Sequence, residues 1–163
     1  QVLKADEVKS DFLVLKKIKF VNLLGIDYGE KRIGLAKSDG LGITAQPLGF
    51  IKNNANTFHE LSRIITECEV KKIIIGLPKN PKGGDSKKSL EVRAFATTLK
   101  ENSKLPIEFW DERFSTIAVT RHLIDSDLSR KKRKKVVDTA AATFILQGYL
   151  DKENYKKRNP NTP

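Results

Sequence analysis

The stretch "LLGIDYGEKRIGLAKSDG", residues 23–40, decides the fold. An apolar run ends on a lone acid, Asp27, the chain turns at once through Tyr28–Lys31, and a second apolar run starts at Arg32. Two short apolar segments around a Gly-containing turn predict a β-hairpin. Asp27 itself has two readings from its neighbours alone. An aspartate in "DYGE" is a common turn former, and an acid presented at a strand end can also hold a cation.

Working outward, "KFVNLLGID" (19–27) reads as a buried strand, "RIGLAKSD" (32–39) as its partner, and "ITAQPLGFI" (43–51) as a third strand in which Pro47 suggests an edge or a bulge. Thr57 and Glu60 have capping-box spacing ahead of a helix with Phe58, Leu61, Ile64, Ile65 and Cys68 on one face, where Cys68 reads as core. "VKKIIIGLP" (70–78) predicts a central parallel strand ended by Gly76 and Pro78. The loop "KNPKGGDSKK" leads to a helix carrying Leu90, Ala94, Phe95 and Leu99, and "LPIEFWDER" (105–113) is a fifth strand with Trp110 in the core. Ser115 then caps a helix with Phe114 and Val119 as a hydrophobic staple. "VVDTAAATFILQGYL" (136–150) predicts a last helix with Val137, Ala141, Phe144 and Gly148 on one side, its small residues allowing close approach to a sheet.

The order strand, strand, strand, helix, strand, helix, strand, helix, helix predicts a mixed five-stranded α/β sheet with helices on both faces. Residues 1–18 read as an N-terminal extension, mixing charge with Val8, Phe12, Leu13, Val14 and Leu15, and form a short helix or an extra strand. Residues 19–150 form the domain, and 151–163 read as a polar, loose tail.

At 163 residues one domain with a real core is expected, with 39% hydrophobic and 31% charged residues. No apolar stretch reaches membrane-spanning length. A single cysteine excludes an internal disulfide and suits a reducing compartment, and with two histidines it cannot build a structural zinc site. No methionine occurs even at position 1, so a trimmed or processed chain is expected. A net charge of +11 favours a polyanionic partner, nucleic acid first.

The acids stand where that partner would meet them. Asp27 ends the first strand, Asp111 and Glu112 end the fifth, and Asp138 lies near the start of the last helix. Ligands of open α/β sheets collect beyond the carboxyl ends of strands. Clustered carboxylates raise one another's pKa unless a cation compensates, and hard oxygen donors suit Mg²⁺ or Mn²⁺. Two such ions could support phosphodiester cleavage. Each acid also has a structural reading: Asp27 as a turn former, Asp111 and Glu112 as ion-pair partners, Asp138 as a helix-start acid favoured by the macrodipole. The run Arg130, Lys131, Lys132, Arg133, Lys134, Lys135 just before Asp138, and the loop with Lys79, Lys82, Lys87 and Lys88, could grip phosphates, and Gly83 and Gly84 let that loop adapt.

Four segments in order, "GIDYGEKRIGLAKSD", "IIIGLP" with its Gly-rich sequel, "DERFST" and "KKVVDTAAATFILQGYL", resemble the YqgF family, also called RuvX. The resemblance covers Lys19 to Leu150 and implies an RNase H-like fold and a Mg²⁺- or Mn²⁺-dependent endonuclease. It implies Asp27 as first-strand acid and Asp138 as last-helix acid, with the "DER" segment completing the site. We rank Asp111 above Glu112 there, because alternation lets one of them face a given side. Where related resolvases end the fourth strand on a glutamate, this chain reads Leu77 and Pro78. Arg32 and Arg113 match positions that contact phosphate or pair with the acids. The family description points to 5′-end processing of pre-16S rRNA. Branched-DNA cleavage and non-catalytic nucleic-acid binding are the alternatives, and the expected location is cytoplasmic, or organellar after import.

Overall fold

The structure, a computed structural model, describes residues 21–80, 82–112 and 130–161, and for residues 130–139 the helical backbone alone. The N-terminal extension through residue 18 and the helix expected after Ser115 lie outside the described residues. The elements are β1 (Leu23–Asp27), β2 (Arg32–Ser38), β3 (Ala45–Lys52), α1 (Thr57–Glu67), β4 (Lys72–Leu77), α2 (Lys87–Ser103), β5 (Ile107–Asp111) and α3 (Arg130–Arg158). The strands form one sheet in the order β3-β2-β1-β4-β5. Strands β1, β2 and β3 pair antiparallel, while β1–β4 and β4–β5 pair parallel, which is the mixed five-stranded sheet expected.

Both faces of this sheet are covered. Leu24, Ile26, Ile73, Ile75 and Leu77 pack with Leu61 of α1 and with Val92, Phe95 and Leu99 of α2. On the opposite face Leu23, Ala36, Ile74 and Trp110 pack with Ala142, Ile145, Leu146 and Leu150 of α3. Covering on both sides is why "III" in β4 is apolar without alternation. Ile73, Ile74 and Ile75 are each 0% exposed. Burial of each stabilises the fold by about 1.5–3 kcal/mol over leaving it in water.

Helix α3 approaches the sheet closely because a strand residue beneath it has no side chain. A Cβ on Gly25 would stand 2.7 Å from Cβ of Leu146 and 3.0 Å from the carbonyl oxygen of Ala142. Gly148 likewise lets the helix rest on the ring of Trp110, which also meets Tyr149 edge-on, with centroids 6.4 Å apart.

Several local expectations are met and others corrected. Pro47 sits on the edge strand and beside a bulge, since Gly49 pairs with Leu35 but Pro47 with Ala36, so Leu48 has no opposite residue in the ladder. Thr57 does not form a capping box: Asn56 is the N-cap, with no side-chain cap bond. The Thr57 hydroxyl is buried instead, accepting from the Asn54 amide and donating to the Lys52 carbonyl, so it closes the loop before the helix. In α2 the buried face is Ser89, Val92, Phe95, Ala96 and Leu99, whereas Leu90 is 58% exposed and Ala94 also faces solvent. The face is rotated because Ser89 turns inward to cap the helix with Ser86. In α3 the buried positions are Ala141, Ala142, Ile145, Leu146, Tyr149 and Leu150, with Phe144 half-buried, one step round from the expected stripe. The segment from residue 151, expected to be loose, continues α3 to Arg158. The side chains of Asn154 and Gln147 donate to the carbonyls of Gly42 and Ile43, and these bonds tie the helix to the β2–β3 loop.

Candidate active site

Strand parity sorts the acids. Ile26 belongs to the core shared with α1 and α2, so Asp27 beside it points to the α3 face at the carboxyl end of β1. Ile26 pairs with Ile75, and continuing that parallel register sets Asp27 next to Gly76. Gly76 is in turn paired with Trp110, and Leu77 with Asp111. Leu77 belongs to the α1/α2 core, so Asp111 turns to that side, away from Asp27. Lys79 takes it up there, with Nζ 3.5 Å from Oδ2 of Asp111.

Glu112 lies on the other side. A Cβ on Gly76 would stand 2.8 Å from Oε1 of Glu112 and would also strike the side-chain tip of Ile145 in α3. The carboxylate therefore rests over Gly76, on the α3 face, beside the strand that ends in Asp27. The ranking of Asp111 over Glu112 is thus reversed by the geometry. The physical reason is that the turn beginning at Glu112 lays its side chain back across the sheet, while Asp111 is still in strand register.

Helix α3 brings the third acid position into line. Ala142 lies over Gly25, and the helix runs antiparallel to β1, since Gln147 and Leu150 lie nearer the start of β1. Asp138 is one turn before Ala142, about 6 Å along the axis. Asp27 is two residues beyond Gly25, about 6.6 Å along the strand. The helix backbone at 138 thus stands level with Asp27. The side chains of Asp138 and of Arg130, Lys131, Lys132, Arg133, Lys134 and Lys135 lie outside the described residues, as does Arg113. Among the described residues no group of three or more His, Cys, Asp or Glu side chains is assembled.

Basic groups belong to the same edge of the sheet. Ile33 and Leu35 face the α1/α2 core, so Arg32 points to the α3 face, where its guanidinium lies 4.8 Å above the Phe50 ring. Beyond β4, Lys82 and the first-turn Lys87 and Lys88 of α2 are exposed. Gly83 and Gly84 have φ of +86° and +88°, a conformation that residues with a Cβ rarely adopt, so this loop needs its glycines. Its base is fixed: the Ser89 hydroxyl, 0% exposed, donates to the Pro78 carbonyl at 2.6 Å. Sequence reasoning missed Gly76 and Ser89, which shape this candidate site. The parity of "GLP" after a buried strand was the one available signal for Gly76.

The donor set suits a hard cation. Asp27 and Glu112 offer carboxylate oxygens on one face of the sheet, either side of a glycine. Among the described residues His59 and Cys68 belong to the α1 region, against the other face. Oxygen donors without imidazole or thiolate are the set that hard divalent cations take.

Comparison with known proteins gives the fold and the family. RuvC of T. thermophilus in complex with Holliday junction substrate superposes with a TM-score of 0.52 at 9% identity, covering 82% of this chain and 96% of that one. Fowlpox virus resolvase with its substrate Holliday junction DNA gives 0.51 at 16%, covering 82% and 99%. Both share the fold, an RNase H-like nuclease fold. The sequence profile of RuvX, described as Holliday junction resolvase, matches residues 21–152. A Clostridium acetobutylicum protein named "Putative pre-16S rRNA nuclease" is 47% identical over 133 residues, 80% of this chain and 98% of that one. The class is therefore nuclease. The chain belongs to the RuvX family.

Proposed function

We propose that this chain is a Mg²⁺- or Mn²⁺-dependent endonuclease acting on structured RNA, with 5′-end processing of pre-16S rRNA as its reaction. The observation that carries the reading is the Glu112 carboxylate over Gly76, on the face and at the edge of the sheet where the β1–β4 register sets Asp27. Asp27, Glu112 and Asp138 would hold the ion. When bound, it supplies activation of a water and stabilisation of the leaving oxygen.

The protein's own groups do the rest. Lys82, Lys87 and Lys88, exposed on the loop and helix that follow β4, would offset the charge of the acids, which would otherwise repel a phosphate backbone. Arg32, held against Phe50 on the same face as Asp27, carries a guanidinium of the kind that binds phosphate oxygens. The RNA assignment draws on the name of the 47% identical relative, and branched DNA is the second reading because the family profile is described as Holliday junction resolvase.

The deciding experiment incubates wild type and Asp27→Asn with a labelled structured rRNA precursor and, separately, a four-way DNA junction, each with Mg²⁺ or Mn²⁺. Metal-dependent cutting of the rRNA by the wild type alone supports the proposal. Preference for the junction supports the second reading. Binding without cutting by either protein overturns both in favour of a non-catalytic factor.

A further inference from the structure

Resting on the active-site reading above, we propose that Asp111 is a positioning residue: on the α1/α2 side of the carboxyl edge of the sheet it holds Lys79, whose ammonium clamps a phosphate of the substrate strand that runs on to the acids of the α3 side. Four observations converge. Asp111 turns away from Asp27 by strand parity, so it is not placed to share a cation with it. Its carboxylate is 12% exposed, whereas Lys79 is 41% exposed, so the anion is set into the protein and the cation looks out. Lys79 lies two residues past Leu77, whose strand neighbour Gly76 carries the Glu112 carboxylate. The residue before Lys79 is pinned through its carbonyl by buried Ser89, so the lysine starts from a fixed backbone point.

An ammonium has three N–H donors, and one ion pair leaves the others for a phosphate. Surface lysines hold their side chains loosely. Ordering one in advance removes an entropy cost from binding. The sign of the effect separates this role from plain electrostatics. Removing a negative charge near a polyanion strengthens binding if charge alone matters. Removing the anchor of a phosphate-binding lysine weakens it.

The test is fluorescence anisotropy of a labelled stem-loop RNA over a salt series in EDTA, with wild type, Asp111→Asn, Lys79→Ala and the double variant. Lys79→Ala should reduce the log–log salt slope by about 1. Asp111→Asn should weaken binding by about 3- to 10-fold, and should add nothing on the Lys79→Ala background, as expected of two residues acting as one unit. In Mg²⁺, Asp111→Asn should raise KM and leave kcat within about two-fold, the pattern that follows when binding common to ground and transition state is removed. Unchanged or tighter binding by Asp111→Asn overturns the proposal, as does a kcat collapse like that of Asp27→Asn. An unchanged affinity and salt slope for Lys79→Ala, a variant at an exposed position, overturns it without reliance on the Asp111 variant. If Asp27→Asn cleaves like wild type, the metal-site reading falls, while the metal-free binding cycle still decides the role of Asp111.

Discussion

Oε1 of Glu112 occupies the space above Gly76 into which any larger residue would place its Cβ, at 2.8 Å. The glycine thus leaves room for that carboxylate on the α3 face. Here the fourth strand supplies room, and the acid reaches in from the end of the fifth.

Gly76→Ala and Gly25→Ala should therefore fail differently. At Gly76 the added methyl meets the flexible ends of Ile145 and Glu112, which can move aside. We expect a stability loss of about 1 kcal/mol and a loss of cleavage of about 100-fold, since the Glu112 carboxylate is displaced. At Gly25 the methyl meets Cβ of Leu146 and the backbone carbonyl of Ala142, which cannot yield without moving α3. The expected stability loss there is about 3 kcal/mol, near the upper end for overpacking. Urea denaturation and cleavage rates on both variants check the contrast.

Ser89 is the latch of the basic loop. Its hydroxyl donates to the Pro78 carbonyl and accepts from the Ser86 amide, and its own amide is capped by the Ser86 hydroxyl. Ser89→Ala removes two of these bonds at a fully buried position, which should destabilise the protein by about 1–3 kcal/mol in urea titration. Substrate binding should weaken as well, because the loop is no longer anchored at its base.

A pH effect follows from the far end of β4 and β5. The hydrogen bond from Lys72 holds the Glu108 carboxyl below the usual glutamate range, outweighing the upward push of desolvation. Lys72 also donates to the Tyr149 hydroxyl at 2.7 Å. A depressed carboxyl pKa stabilises the fold above the unfolded-state value, and the contribution fades as pH falls through the lower folded value. Glu108 is 51% exposed, so the contribution is about 0.5 kcal/mol. Glu108→Gln should lower the melting temperature slightly at neutral pH, and the gap to wild type should close as the pH falls below the ordinary glutamate value and through the lower folded one.

Neutralising Lys131, Lys132, Arg133 and Lys134 together should weaken RNA binding and flatten its salt dependence by up to about four units of slope, one for each phosphate that the variant leaves unneutralised. An unchanged slope would remove the run from the interface.

The hairpin around Asp27 carried most of the fold. Its apolar–acid–turn–apolar pattern set β1 and β2, and the β-branched run ending at Gly76 set the parallel strand beside them. What the sequence hid was parity at strand ends. Whether Asp111 or Glu112 faces Asp27 depends on where β5 stops following the pleat, and adjacent acids in "DER" carry no mark of that. The rotation of α2 was hidden for a related reason: apolar spacing favoured Leu90, but a serine needed inside as a cap partner fixed the face instead. Thr57 likewise has capping-box spacing, and its burial under the incoming loop gave the hydroxyl other partners. The extension of α3 past Leu150 rests on tertiary hydrogen bonds from Gln147 and Asn154, which local composition cannot show.

On the proposed reading Glu112, across Gly76 from Asp27, completes the metal site, and the Mg²⁺-dependent cleavage rate of Glu112→Gln on the substrate that the wild type prefers tests this. A fall of about 100-fold or more, matching Asp27→Asn, is expected, with the fold and the metal-free RNA affinity kept. Cleavage by Glu112→Gln at the wild-type rate would contradict it.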